Sequence, residues 1–252
     1  MKYETFIKNG CLSWTLTSNG YKFLTWNFVL HWRRACPNSP ILVICADKQS
    51  YNFFLRESIP CRMIDETLSD FGNQIVRFGS TNFMTLNRLK LRLLDTFSKN
   101  PDIQSCIYLD GDIAVYKNIV EDLQGRLQGG CGLLFQCDEK ETECSGNPRC
   151  PNVCTGVIAF RHGCDAGVFL IHDEAVWKEK PEDQVWVNKA LAIRNIDYHV
   201  LPRDLYPNGM RCTFTHSHPE YKAMADLLHY NYRVGGTKIA DMKRFGDWLL
   251  PY

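Results

Sequence analysis

The 252-residue chain is 45% hydrophobic and 23% charged, the profile of an ordinary globular protein long enough for one α/β domain with its own core. Its 29 basic residues stand against 28 acidic ones, and a net charge of +1 excludes the basic excess of a nucleic-acid binder while leaving room for one small anionic ligand. No apolar run approaches the length of a membrane span, and the first 20 residues are broken by Lys2, Glu4, Lys8, Asn9 and Gly10, so there is no export signal either and the chain is expected to be soluble and intracellular.

In chain order, residues 5–16 read as an interrupted strand and Thr17-Ser18-Asn19-Gly20-Tyr21 as a turn. Residues 21–36 read as a helix carrying Phe23, Trp26, Leu30 and Arg34 at helical spacing. The continuous apolar run 40–46, ending at Asp47, has the pattern of a buried parallel strand. A helix over 48–58 and a short strand over 59–64 follow. Residues 82–99 form a long amphipathic helix with Leu86, Leu89, Leu93 and Phe97 on one face, and 105–109 a strand that ends at an acidic pair. This alternation predicts a Rossmann-like, mostly parallel sheet flanked by helices, with ligands beyond the carboxyl ends of the strands, where the turn at 17–21, Asp47 and the acidic pair all fall.

The second half is less regular. Strands are expected over 132–136, 155–160 and 197–201, and a helix from Pro181 through Ala192, opened by proline and acids in its first turn. Tyr206-Pro207-Asn208-Gly209 reads as a turn whose Asn208 could also orient a ligand. Thr215-His216-Ser217-His218-Pro219 reads as a polar surface loop bordering an acceptor site, with metal binding by its two imidazoles as the alternative. Six of the twelve cysteines, Cys131, Cys137, Cys144, Cys150, Cys154 and Cys164, crowd one stretch without any C-x-x-C pair; reduced thiols are expected, with zinc or disulfides as alternatives.

The chemistry concentrates at Asp110-Gly111-Asp112. Two close carboxylates repel, and each would rise in pKa unless a cation sat between them. A hard divalent ion with oxygen ligands fits, and Mg²⁺ or Mn²⁺ keeps positions open for phosphate oxygens. Gly111 is expected to let the chain turn tightly there. Taken alone, the pair reads equally well as two solvated acids in a turn.

The run 107–119 around this pair resembles the Asp-x-Asp segment of glycosyltransferases with the A-type nucleotide-sugar fold. Further segments resemble the same family in order. Thr17, Asn19, Gly20 and Tyr21 are similar to its nucleotide-contacting loop, Lys90 to a basic position on the helix before the acidic pair, and Cys154-Thr155-Gly156 to its Asn-Thr-Gly segment with cysteine for asparagine. Glu182-Asp183-Gln184 resembles its Asp-Gln pair, and His229, Gly235, Gly236, Lys238 and Trp248 its terminal signature. The resemblance, from about Thr17 to Trp248, is closest to the nucleotide-diphospho-sugar transferases that include plant wall xylosyl- and arabinosyltransferases, and more distant to glycogenin-type enzymes.

That resemblance implies a single A-type glycosyltransferase domain over 1–252, with a nucleotide-binding half to about residue 120 and an acceptor-side half over about 121–252. It implies Mn²⁺ or Mg²⁺ held by Asp110, Asp112 and His229, and a nucleotide-sugar donor, UDP-linked, contacted by Thr17, Asn19, Gly20, Tyr21, Lys90, Asp110, Gly111, Thr155, Gly156, Gln184, Gly235, Gly236 and Lys238. The acceptor is a glycan or glycoprotein hydroxyl, with no nucleic acid and no membrane span involved. A neutral His229 can complete a metal site begun by two carboxylates, Gly235 and Gly236 allow close backbone approach to a diphosphate, and Lys238 neutralises it. An inverting reaction needs a carboxylate base, with Asp183 the first choice and Glu182 the second, although the family's aspartate at this position contacts the donor sugar. Because such enzymes often work in the secretory pathway, the lack of a signal points to a bacterial or viral protein, or to a trimmed secretory domain. The alternatives are a metal-dependent phosphohydrolase or nuclease, for which further carboxylates are lacking, and a non-catalytic nucleotide-sugar-binding protein. Donor sugar, acceptor and retention versus inversion stay open.

Overall fold

The computed structural model describes residues 4–64, 79–139, 152–170, 177 and 182–251. The expected first strand is a hairpin. After a 3-10 turn at Glu4–Phe6, β1 (Ile7–Lys8) reverses at Asn9 and Gly10, both with positive φ, and pairs antiparallel with β2 (Cys11–Thr17). Then follow α1 (Lys22–Ala35), β3 (Leu42–Cys45), α2 (Lys48–Arg56), β4 (Cys61–Met63), α3 (Thr81–Ser98) and β5 (Ser105–Leu109). Next come β6 (Ile113–Val115), α4 (Ile119–Gln128), β7 (Leu133–Cys137), β8 (Val153–Arg161), α5 (Asp183–Arg194) and β9 (His199–Val200). The chain closes with α6 (Cys212–Ser217), α7 (Pro219–Met224), β10 (Leu227–His229) and α8 (Gly236–Phe245).

The main sheet runs β4-β3-β2-β5-β8-β7-β9. Pairings among β4, β3, β2 and β5 are parallel, as is β7 with β9, whereas β8 runs against both of its neighbours. Alternation along the strands divides the core in two, because successive side chains point to opposite faces. Leu12, Trp14, Leu42, Ile44, Cys106, Tyr108, Ile158 and Phe160 meet α3 and α5 on one face. On the other, Val43, Cys45, Ile107, Leu109, Val157 and Ala159 meet α1, α2 and α4.

The stripe expected on α1 is not the buried one. Phe23 and Arg34 are exposed; Phe28, Val29 and Trp32 pack on the sheet, and Leu24 packs with Ala114, Leu228 and Tyr230 around β6 and β10. α2 and α3 begin on side-chain caps, Asp47 accepting from the Ser50 N–H at 2.7 Å and Ser80 from the Phe83 N–H at 3.3 Å. α5 begins at Asp183; Pro181 lies outside the described residues, as do Cys144 and Cys150. Residues 212–217, expected to include part of a loop, are helical. The ten cysteines described are free thiols, nine of them buried. No helix among the described residues is long and apolar enough to cross a membrane.

A second, two-stranded ribbon positions the site. β6, which follows the acidic pair directly, pairs antiparallel with β10, setting Ile113 opposite His229. The Tyr230 N–H donates to the Asp112 carbonyl at 3.0 Å and continues the ladder past the strand end.

Candidate active site

A cleft of about 530 Å³ opens at the strand ends in the middle of the main sheet. β2 and β5 deliver their carboxyl ends to it, with Thr17 and Asp110. β8, antiparallel, delivers its beginning, with Cys154, Thr155 and Gly156. The Asp110 N–H donates to the Gly156 carbonyl at 2.8 Å and stitches the two segments together. The register between β7 and β8 jumps at this point, Phe135 pairing with Ile158 but Gln136 with Cys154. Such a bulge frees backbone from the ladder and re-aims side chains, as strands beside active sites commonly do.

Asp110, Asp112 and His229 each offer one ligand atom, all within 4.8 Å of one another. His229 Nε2 lies 3.2 Å from Asp112 Oδ1 and 3.5 Å from Asp110 Oδ2. Lys238, in the first turn of α8, pairs with the other Asp112 oxygen. Burial alone would raise the Asp112 pKa, but Lys238 and His229 hold it far below the usual carboxylate range. Burial likewise works against a charged His229, yet the carboxylate of Asp112, followed by Cys154, pushes it up to about 10. The donor set of two carboxylate oxygens and one imidazole nitrogen suits a hard divalent cation. Cys154 meets the far nitrogen, Nδ1, at 3.7 Å and is kept a neutral thiol chiefly by burial. The residues present therefore fit Mn²⁺ or Mg²⁺ better than a thiophilic metal.

Two glycines are required by contact. A Cβ on Gly156 would stand 2.0 Å from His229 Cε1, so the imidazole occupies the space a side chain would need. A Cβ on Gly111 would stand 2.4 Å from Thr25 Oγ1. The chain turns at residues 111–112 as expected, but Gly111 has no positive φ there, and it is the close approach of α1 that requires glycine.

Beside the triad, Lys90 is buried and pairs with Asp183, faces Asp110 Oδ1 at 3.6 Å and donates to the Thr155 carbonyl at 3.1 Å. Thr155 Oγ1 donates to Asp183 Oδ2 at 2.8 Å. Burial opposes the charge on Lys90, but Asp110 and Asp183 together hold its pKa well above the ordinary lysine value. Tyr108 caps Asp110 Oδ1 through its hydroxyl at 2.5 Å. Of the residues expected at the site, Thr17, Tyr21, Lys90, Asp110, Gly111, Asp112, Thr155, Gly156, Glu182, Asp183, Gln184, His229 and Lys238 line the cleft. Asn19, Gly20, Gly235 and Gly236 do not. Asn19 is buried behind it, its N–H donating to Asp47 Oδ2 at 2.7 Å, so Asp47 braces the 17–21 turn from outside. Gly235, with φ of 58°, precedes α8, and no atom lies within 4 Å of where a Cβ would sit at either glycine.

Reasoning from sequence missed Asp138. It follows β7 as Asp110 follows β5, and β7 runs parallel to β5, so the signal that found one carboxylate would have found the other. Its Oδ2 accepts from Gln184 Nε2 at 2.6 Å and the Tyr232 hydroxyl at 2.9 Å, and its Oδ1 from Asn208 Nδ2 at 3.0 Å. Asn208 is thus a buried support. His216 is also structural: its side chain is buried, stacked on Phe245 at 4.1 Å, with Nε2 3.2 Å from Asp247. The surface loop expected at 215–219 is instead the junction of α6 and α7, and metal ligation there also fails, since both His216 nitrogens are engaged by protein partners and the only candidate cation group among the described residues is Asp110, Asp112 and His229.

A family model described as nucleotide-diphospho-sugar transferase matches residues 38–242. Among solved structures, the chain is similar to the galactosyltransferase LgtC, solved with donor and acceptor sugar analogues, at a TM-score of 0.57 and 15% identity over 94% of each chain. It is also similar to mouse xyloside xylosyltransferase 1, at 0.52 and 12% over 88% of this chain and 98% of that one. The glycosyltransferase GlyE of Streptococcus pneumoniae matches at 0.56 and 13% over 95% of this chain and 60% of that one. Identities this low establish a shared fold, and donor and acceptor have to be argued from the cleft. No curated protein matches the sequence significantly.

Proposed function

Because the chain belongs to the nucleotide-diphospho-sugar transferase family, we propose that it moves a sugar from a UDP-linked donor to a hydroxyl of a glycan or glycoprotein, using Mn²⁺ or Mg²⁺ held by Asp110, Asp112 and His229. The observation that carries this reading is the triad itself: two carboxylates from the end of β5 and one imidazole from β10 converge in a cleft at the strand ends. A divalent cation there supplies Lewis-acid neutralisation of the diphosphate as the anomeric bond breaks.

Lys238 adds a second positive charge for the departing diphosphate, from a helix whose N-terminus faces the same region. Thr17, at the end of β2, and Tyr21, in the turn after it, contact the nucleoside, with Asn19 and Gly20 shaping that turn. Thr155, Lys90 and Asp183 form one hydrogen-bonded unit beside the acidic pair and orient the donor sugar. Asp183 Oδ2 is engaged by both Lys90 and Thr155, which makes Asp183 a positioning group. If the reaction inverts, the base is then Glu182, the cleft carboxylate next to it. Gln184 and Asp138 face the acceptor hydroxyls.

A donor screen tests this. UDP-xylose, UDP-galactose, UDP-glucose and GDP-sugars are each incubated with Mn²⁺ and with excess chelator, and release of nucleoside diphosphate is followed. Turnover of a UDP-sugar that stops in chelator is expected. Cleavage of simple phosphate esters with every nucleotide sugar left intact would instead establish the phosphohydrolase, and metal-dependent binding without turnover the non-catalytic binder.

A further inference from the structure

Gln136 is fully buried in β7, at the residue where the register with β8 jumps, and no side chain of the triad belongs to its strand. Its amide nitrogen donates to two backbone carbonyls, Tyr206 O at 3.0 Å and Pro207 O at 3.1 Å. Both partners can only accept, so both amide hydrogens are committed and the group cannot be turned over. The amide oxygen is thereby fixed toward His229 Nδ1, 2.9 Å away. An oxygen without hydrogen can only accept, so Nδ1 keeps its proton, and the nitrogen free to lose its proton when a cation binds is Nε2, which faces Asp112 and Asp110.

The backbone completes the lock. The His229 N–H donates to the same Pro207 carbonyl at 3.1 Å, and the missing side chain of Gly156 gives the ring its seat. We propose that Gln136 is the positioning residue of the cation site, fixing His229 as the Nδ1–H form with Nε2 presented to the metal. The inference rests on the cation reading given above. An outer partner of this kind raises the basicity of a ligating imidazole and fixes its plane, and its loss typically weakens metal binding about 10- to 100-fold.

The test uses the full chain and Mn²⁺ as the probe, with binding followed by electron paramagnetic resonance. Gln136→Met, which keeps the volume and removes the acceptor, is expected to raise the Mn²⁺ Kd about 10- to 100-fold. Gln136→Glu restores an acceptor for Nδ1–H and is expected to bind within a few-fold of wild type. A merely structural role predicts the opposite order, since Glu loses both amide donors and adds a buried charge. Should either variant fail to fold, nitrogen-15 NMR of histidine-labelled wild type with Mg²⁺ decides: a protonated Nδ1 supports the assignment and a bare Nδ1 overturns it. Equal Mn²⁺ affinity in wild type and folded Gln136→Met overturns the role of Gln136 alone. No Mn²⁺ or Mg²⁺ binding by wild type overturns the cation reading and this inference with it.

Discussion

Asp112 holds Lys238 with one oxygen and His229 with the other, and it is almost wholly buried while doing so. Replacing it with alanine strands two cationic groups, which costs about 3–5 kcal/mol when a buried pair loses one partner. Asp112→Ala is therefore expected to melt about 10 °C below wild type. Asp110→Ala, at a side chain 31% exposed, should melt less than half as far below it while losing Mn²⁺ binding just as fully. Differential scanning calorimetry with a Mn²⁺ titration separates the two, and equal melting shifts would contradict the burial argument. The same pair sets a pH dependence in chelator-treated protein. His229 is raised from 6.5 to about 10, so its contribution to stability is complete below 6.5 and disappears as pH climbs to about 10. Asp112 is depressed, so its contribution is complete above 3.8 and is lost on acidification below that. Melting temperature should accordingly decline from pH 6.5 to 10, and a flat profile there would count against the His229–Asp112 pairing. Asp110 and Asp112 were legible because carboxylates that end an apolar strand stand out, whereas Lys90, His229 and Lys238 were placed by the family resemblance. Gln136 was not legible: a neutral amide inside a strand has no signature until its three partners are seen.

At the scale of elements, the site depends on two departures from regular sheet. The ribbon of β6 and β10 is only three residues long on each strand, too short to show period-two alternation, so His229 was placed by the resemblance and not as a strand end. The bulge in β8 was not anticipated either, since the strand was expected over 155–160 and Cys154-Thr155-Gly156 was read only through the resemblance. Its consequence is testable through Gly156, because any side chain there must displace the His229 ring. Gly156→Ala is expected to keep a cooperative melt within a few degrees of wild type and to weaken Mn²⁺ binding about 10- to 100-fold. Unchanged binding in calorimetry would mean that the imidazole has another seat. Elements were read unevenly: α3 was placed to within a residue at each end and α5 was found from its acidic first turn, whereas α4, α6, α7 and α8 were not expected as helices. The face of α1 was misjudged because aromatic Phe23 and Trp26 look like core while lying toward its margin; both pack on Phe53 of α2.

Across the whole molecule, the parallel half of the sheet followed directly from alternating apolar runs and helices. The reversal of β8 could not, since a buried strand carries the same apolar composition in either direction. That reversal brings a strand beginning to the side where its neighbours end, and with it Thr155 and Gly156 to Asp110. Charge is balanced locally in the cleft: Lys90, Lys238 and Arg233, the last paired with Asp241, stand among five carboxylates, which leaves a divalent cation to balance a diphosphate. The most direct measurement is titration calorimetry of UDP into the purified chain, with Mn²⁺ and then with excess chelator. Binding in Mn²⁺ that vanishes in chelator, and is restored when Mn²⁺ is returned, is the predicted result; equal affinity in both would contradict the metal-diphosphate site.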